Sequence, residues 1–413
     1  MSQTAPAHDL VVFGATSFVG QILSRYLADT FGTRGRLRWA IAGRSREKLE
    51  ALRASLGSSA AKLPIVIADA ADGTALRTMC EGTRVVASTV GPYALYGEPL
   101  VQACAETGTD YCDLTGEPQF IRRMIERYEA AARKSGARIV HCCGFDSIPS
   151  DLGVRLLQRE ARARHGKPFN RVKMRVRHMS GGFSGGTVAS ALNAFREAAA
   201  DPKLRKELAN PYSLCPPGHG SKVRQPSVKF AEYDPDFRAW VAPFVMAAIN
   251  VRIVHRSNAL AHSAYGADFR YDEAVMTGGG LRGRALAAGI AAGLGGFALA
   301  AGVAPLRAAL ERFVLPAPGE GPSPQAQQKG RYDLRFFGTS GDGQSLRLKV
   351  TGRGDPGYGS TSKMLGQAAA WLALDLPGRP MKGGILTPAT VFDDAFLDRL
   401  VGHAEMTFEV QEA

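Results

Sequence analysis

The stretch Asp9 to Leu27, DLVVFGATSFVGQILSRYL, limits what this chain can fold into more than any other. Leu10, Val11, Val12 and Phe13 form a short apolar run, the pattern of a strand buried on both faces of a parallel sheet. Gly14-Ala15-Thr16-Ser17-Phe18-Val19-Gly20 follows, and Ile22, Leu23, Tyr26 and Leu27 then recur at helical spacing. Strand, turn and helix with no slack between them bring backbone N–H groups and a helix N-terminus to one point, which suits a pyrophosphate. Gly14 allows the tight turn, and Gly20 allows the helix to lie close on the strand. Ser17 stands where the middle glycine is usual; its Cβ would crowd a pyrophosphate, whereas its hydroxyl can donate to one. Gly14, Thr16, Ser17, Phe18 and Gly20 are therefore the first candidates for holding a dinucleotide.

A glycine turn alone is a weak signal, so its context decides. A second apolar run, Leu37 to Ala42, ends in Gly43-Arg44-Ser45. The residue that reads the ribose lies roughly 20 residues past the glycines, and an acidic one there would favour NAD. Arg44 and Ser45 stand there instead, with Lys48 one turn on. A guanidinium, a hydroxyl and an ammonium suit a 2′-phosphate, hence NADP(H). The plainer alternative is that Arg44 is a solvated surface residue.

Residues 9–150 alternate strands and helices. Runs at Ile65 to Ala68, Arg84 to Val90, Tyr111 to Leu114 and Ile139 to Cys142 read as strands, with helices over Pro99 to Thr107 and Phe120 to Lys134. This implies an α/β fold of the Rossmann type, a doubly wound parallel sheet with ligands at the strand C-termini. Asp69 would then face the adenine or cap the next helix, and Gly91, Pro92 and Tyr93 would approach the nicotinamide half.

Beyond Asp151 the pattern changes. Val172 to Met179 alternates as a strand, Ser180 to Thr187 is glycine-rich, and Val188 to Ala200 reads as a helix. Residues 210–235 read as a long loop, and residues 316–328 as a linker. Tyr332 to Phe337 and Ser345 to Thr351 flank a glycine-rich turn and give a hairpin signal. The expected organisation is residues 1–151 as an NADP-binding Rossmann domain and residues 152–355 as an α+β domain with an antiparallel sheet, facing substrate or lipid. Residues 356–413 are expected to return as helices and a strand over the cleft, with helices starting near Ser360 and after Thr387-Pro388.

The net charge of +13 favours anionic partners, but no compact basic run or zinc-finger spacing accompanies it, so nucleic acid is not expected. The six cysteines form no C-x-x-C pair, which removes zinc and thioredoxin-like readings and leaves reduced, buried thiols; no metal cluster stands out. The opening residues MSQTAPAHD lack the features of a signal peptide, so the expected location is cytoplasmic, with peripheral attachment to the plasma membrane as an option.

That option comes from residues 285–306, which carry no charged side chain and would be long enough to span a bilayer core. Alanine and glycine dominate, and Arg282, Arg284, Arg307 and Arg312 flank the stretch without orientation bias. Three readings stand: a helix that is buried or faces a partner, a helix on a membrane surface, and a true span.

GATSFVG, AGRS, STVGPYALYGEPLVQACAETGTDYCDLTGE and CGFDSIPSD, taken in order, resemble the saccharopine dehydrogenase-like oxidoreductases. They look most like the branch containing trans-acting enoyl reductases of polyketide-lipid synthesis, as do GDPGYGSTSKMLGQAA and GGILTPAT further on. The resemblance implies a Rossmann domain, NADP(H), a second α+β domain, and reduction of a carbon–carbon double bond in a lipid or polyketide-type acyl precursor, or association with lipid surfaces. An acyl carrier protein, an anionic membrane surface and a homo-oligomer are the partners this leaves open.

Enoyl reduction needs a proton source for the enolate and donors near the thioester oxygen. Tyr93 directly follows a strand at the nicotinamide edge and is the first candidate, ahead of Asp146 and Ser147, which follow another strand at the same edge. Against these stand plainer roles: Tyr93 shaping its turn and Asp146 capping the next helix. Glu117 is an outside candidate, and His141 reads as a satisfied core histidine. Two other functions compete with enoyl reduction. An imine reductase would need a basic cluster for dicarboxylates, and a non-catalytic NADP-binding membrane protein would lack chemistry at the nicotinamide end.

Overall fold

The computed structural model describes residues 6–181, 196, 197, 201–303, 305, 306 and 321–412. The helix expected over residues 188–200 and most of the glycine-rich run before it fall outside the described residues.

The N-terminal half builds a seven-stranded sheet in the order β13-β6-β5-β4-β1-β2-β3. Its strands are β1 (His8–Phe13), β2 (Trp39–Gly43), β3 (Ile65–Ile67), β4 (Thr83–Ser88), β5 (Asp110–Asp113), β6 (Arg138–Val140) and, from far down the chain, β13 (Gly384–Leu386). Every pairing is parallel. β1 is apolar throughout from Leu10 because helices cover both faces of the sheet. α1 (Phe18–Phe31) buries Leu23 and Leu27, and α6 (Pro118–Ser135) starts on Pro118 and stops at Gly136, which takes a left-handed conformation. The strand order reverses direction between β1 and β4, and that switch point, at the strand C-termini, is where a ligand crevice forms.

The second sheet runs β14-β12-β11-β7-β10-β9-β8. β7 (Arg171–Ser180), β11 (Arg331–Thr339) and β12 (Ser345–Arg353) form its centre, and the expected hairpin is present with Thr339 opposite Ser345. β8 (Glu232–Asp234), β9 (Ala239–Pro243), β10 (Arg270–Gly278) and β14 (Met406–Glu412) complete it. The sheet is mixed rather than purely antiparallel, because β10 pairs in parallel with β7 after a long excursion of chain. α7 (Ile148–His165) lies over one face, and Gly153 gives it room there: a Cβ would sit 2.6 Å from the Phe336 ring. The opposite face carries charge. Arg175, almost fully buried, bonds Asp234 at 2.8 Å and Asp272 at 2.9 Å, and Arg171 pairs with Asp272.

The last part of the chain ties the two sheets together. The helix Gly359–Ala370 packs on α1, β13 joins the first sheet, and β14 joins the second. All six cysteines are free thiols and buried.

Among the described residues of 285–306, only Ala287 and Ala301 are buried. The helix Gly280–Gly302 rests on β9 and β10 mainly through its first turns, where Gly283 and Ala287 are covered and the Thr277 hydroxyl donates to the Gly283 carbonyl at 2.8 Å. Farther along, Leu286 and Leu299 are exposed, Ile290, Leu294 and Phe297 are half-buried, and Ala301 is buried.

Candidate active site

The glycine turn after β1 forms one wall of the crevice. Ser17 caps α1, its Oγ accepting from the Gly20 N–H at 2.9 Å and sharing a hydrogen bond with the Thr89 hydroxyl at 3.0 Å. Thr89 in turn donates to the Gly14 carbonyl at 2.9 Å, so the serine ties the turn to the end of β4. This explains the departure from glycine: the side chain satisfies an orphan helix donor. The N–H groups of Phe18 and Val19 meet no protein acceptor among the described residues. Gly14 has φ +80°, and a Cβ there would come within 2.5 Å of Val90, so only glycine keeps the turn this tight.

At the end of β2, Arg44 is exposed and engages no carboxylate among the described residues. Ser45 caps α2 (Arg46–Ser55), accepting from the Lys48 N–H at 3.3 Å. Asp69 lies at the end of β3 and accepts from the Ala71 N–H at 2.9 Å; the cap of the next helix is Asp72. Unpartnered N–H groups at a helix start and an unpaired guanidinium one strand away fit a dinucleotide with a 2′-phosphate. Tyr358 covers this wall, its ring meeting Phe18 edge-on at 5.1 Å. Asp355 holds that cover by accepting from the Tyr358 and Gly359 N–H groups at 3.1 and 2.9 Å.

The ends of β4, β5 and β6 form the other wall. Tyr93 follows Gly91-Pro92, but its hydroxyl donates to the Ser88 carbonyl at 2.9 Å and accepts from the Leu114 N–H at 3.2 Å. The ring is buried beside Phe120, and burial followed by the Asp113 carboxylate pushes the phenol well above its ordinary range. The expectation of a phenol open to the crevice is not what the geometry shows; Tyr93 fastens β4 to β5. Glu117 is equally committed, its two oxygens accepting from the N–H groups of Tyr93 and Ala94 at 2.9 and 3.0 Å. Tyr96 lies on the surface.

Asp113, at the end of β5, gathers the strand ends. One oxygen accepts from the Thr115 and Cys142 N–H groups at 3.1 Å each, and the other meets the Tyr111 hydroxyl at 3.0 Å and His141 Nδ1 at 2.7 Å. His141 is buried, with Nε2 unpartnered, between the rings of Tyr111 and Phe120. The loop after β6 is strained at both ends: Cys142 has φ +62° and Ser147 φ +88°, uncommon for residues with a Cβ. Gly144 within it has no room for a side chain, since a Cβ would meet Leu114 at 2.7 Å and Thr361 at 2.9 Å. Thr361 also accepts from the Phe145 N–H at 2.9 Å, so the late GDPGYGSTS segment clamps this loop.

The clamp presents Asp146. Its carboxylate accepts no hydrogen bond from any described residue and lies near the Gly116 Cα, where an added Cβ would be 3.1 Å from Oδ2. Desolvation, then the neighbouring Asp113 and Glu273 carboxyls, push Asp146 up to about 7. Ser147 turns the other way. Its hydroxyl donates to Asn250 Oδ1 at 2.9 Å, Asn250 donates to Glu273 at 2.9 Å, and the Tyr271 hydroxyl donates to Glu273 at 2.6 Å. Burial also lifts Glu273 to about 7. A polar chain thus runs from the strained loop into the second sheet.

Asp113, Asn250, Glu273, Tyr358 and Thr361 escaped the sequence reading as site residues. Asp113 sits inside the DLTGE motif, and Glu273 occupies an inward-facing position between Tyr271 and Val275 on β10, a signal that was available. Asn250 lies in a helix with no motif around it.

A parallel sheet in this order, with unpartnered N–H groups at the start of α1 and the unpaired Arg44 guanidinium after β2, makes the chain an NADP-dependent oxidoreductase of the Rossmann class. The saccharopine dehydrogenase NADP binding domain matches residues 10–140. A Mycobacterium tuberculosis protein provisionally named a trans-acting enoyl reductase is 42% identical over 417 residues, covering 97% of each chain. The trans-acting enoyl reductase of Mycobacterium bovis is 40% identical over 414 residues, again covering 97% of each. The chain belongs to this saccharopine dehydrogenase-like family, in the branch of the trans-acting enoyl reductases, and it binds NADP(H). The fold is also that of apo saccharopine dehydrogenase (L-Glu forming) from Saccharomyces cerevisiae, with a TM-score of 0.56, 12% identity, and coverage of 98% and 99% of the two chains.

Proposed function

We propose that the protein reduces the carbon–carbon double bond of an enoyl thioester, on a lipid or polyketide-type acyl chain carried by an acyl carrier protein, and that Asp146 is the proton source. The observation that carries this reading is the Asp146 carboxyl: it has no hydrogen-bond partner among the described residues, sits at the C-terminal edge of the sheet, and is lifted to about 7. NADPH, when bound, supplies the hydride. The chain's own residues do the rest. Arg44 and the first-turn N–H groups of α1 hold the phosphates. Asp146 holds a proton near neutral pH and releases it to the α-carbon of the enolate, so that a C–H bond forms and a carboxylate remains. Half-exposed, it regains a proton from water. Desolvation first, then the neighbouring Asp113 and Glu273 carboxyls, favours the protonated form.

The imine-reductase reading finds less support. A dicarboxylate substrate needs free cations, and Arg171, Lys173 and Arg175 on the second sheet are all paired with Asp234 or Asp272. The test is turnover of carrier-bound enoyl thioesters with NADPH by the Asp146→Asn variant beside the unmutated protein.

A further inference from the structure

We infer that the helix Gly280–Gly302 embeds in the hydrocarbon of an anionic lipid bilayer and holds the protein on the membrane as a monotopic attachment. This is independent of the reaction proposed above. The helix has 23 residues, and its most apolar window has a mean hydropathy of 1.7 with only 11% buried. At 1.5 Å per residue it is about 34 Å long.

The distribution of its side chains decides what covers it. Leu281, Leu286 and Leu299 are 82%, 56% and 74% exposed. At 100° per residue Leu281 and Leu299 share one azimuth, whereas the exposed Leu286 points roughly 140° away, and the buried Gly283, Ala287 and Ala301 mark the side that rests on the chain itself. A groove on a protein partner, or on a second copy of this chain, takes one face of a helix and leaves the opposite leucines in water. Hydrocarbon surrounds a helix and covers both. The charges agree. No acidic residue occurs between Glu273 and Glu311, and Arg282 and Arg284 stand at the helix start. The Arg284 guanidinium lies 5.3 Å from the centre of the Trp240 ring. An arginine over a tryptophan at the end of an apolar helix suits the headgroup layer, where the cation meets lipid phosphate and the indole sits at the boundary.

The test is flotation of the full chain with vesicles of phosphatidylcholine, with and without phosphatidylglycerol. The protein is expected to rise with the anionic vesicles and to stay with them in high salt, because the attachment is apolar. Leu286→Asp combined with Leu299→Asp is expected to cut the bound fraction about tenfold or more, with NADPH binding retained as proof of folding. Should that variant fail to fold, the unmutated protein still decides. Brominated acyl chains are expected to quench its tryptophan fluorescence, through Trp240, because Trp39 and Trp371 are buried. No flotation, no quenching, or equal flotation by the folded double variant would overturn the inference. So would a concentration-dependent dimer that the double variant dissolves without any vesicle binding, which would assign the helix to a second copy.

Discussion

Asp146 and Arg44 are ionisable groups without a partner among the described residues, and each loss is balanced by what a ligand would bring. Arg44 ends β2 with its guanidinium in solvent, while nearby arginines such as Arg38 are bonded to carboxylates. Replacing Arg44 with alanine is expected to remove most of the preference for NADPH over NADH, by about 1.5–3 kcal/mol for a charge-assisted contact. Fluorescence titration with both cofactors measures this, and equal affinities in the unmutated protein would contradict the assignment. Both residues were legible in the sequence, because each follows a recognisable strand inside a motif. Tyr93 was legible as a position but not as a role. Nothing in GPY says that the hydroxyl turns back to the Ser88 carbonyl, since that bond depends on how β4 and β5 meet.

The loop from Cys142 to Ser147 is an element under strain, held by partners on three sides. Thr361 grips Phe145, Asp113 takes the Cys142 N–H, and Asn250 takes the Ser147 hydroxyl. The strain at Ser147 separates two substitutions. Ser147→Ala loses the hydrogen bond and keeps a Cβ at φ +88°, whereas Ser147→Gly loses the same bond and removes the steric cost. The glycine variant is therefore expected to be more stable than the alanine variant by about 1–2 kcal/mol, read from urea midpoints. The opposite order would mean that the loop relaxes elsewhere. The sequence showed this loop as a strand end followed by a helix start. Asp113 lies 29 positions from Cys142, whereas Asn250 and Thr361 were hidden because they lie 103 and 216 positions from the residues they hold, and spacing carries no information across such a distance.

The whole molecule is two sheets stitched by the last part of the chain, with carboxyls buried along the seam. The alternation of strands and helices made the first sheet readable; the second was harder, because the parallel pairing of β10 with β7 depends on a long excursion rather than on a local turn. The seam has a pH signature. Asp151 accepts from the Ser257 hydroxyl and the Ala389 N–H at 2.8 Å each, its other oxygen is unpartnered, and burial lifts it from 3.8 to about 7. A carboxyl raised in the folded state contributes its full stability below about 3.8 and loses it as pH rises through about 7. Asp151→Asn keeps the accepting oxygen and cannot ionise. It is expected to match the unmutated protein below about pH 3.8 and to exceed it near pH 8 by on the order of 4 kcal/mol. Thermal melts at the two pH values check this, and a variant less stable at both would contradict the buried-acid account.

The most direct test of the central claim, that Asp146 supplies the proton, is steady-state oxidation of NADPH with carrier-bound enoyl thioesters as a function of pH. The unmutated enzyme is expected to slow by about tenfold per unit above a midpoint near 7, where the Asp146 carboxyl loses its proton. Asp146→Asn is expected to lose on the order of 10²-fold in turnover, with NADPH affinity intact, and to lose that pH dependence as well. Tyr93→Phe is expected to keep the profile, because its hydroxyl is bonded to backbone on both sides. An Asp146→Asn enzyme that turns over normally with the same midpoint, beside a Tyr93→Phe enzyme that does not, would contradict the account and return the proton to the phenol.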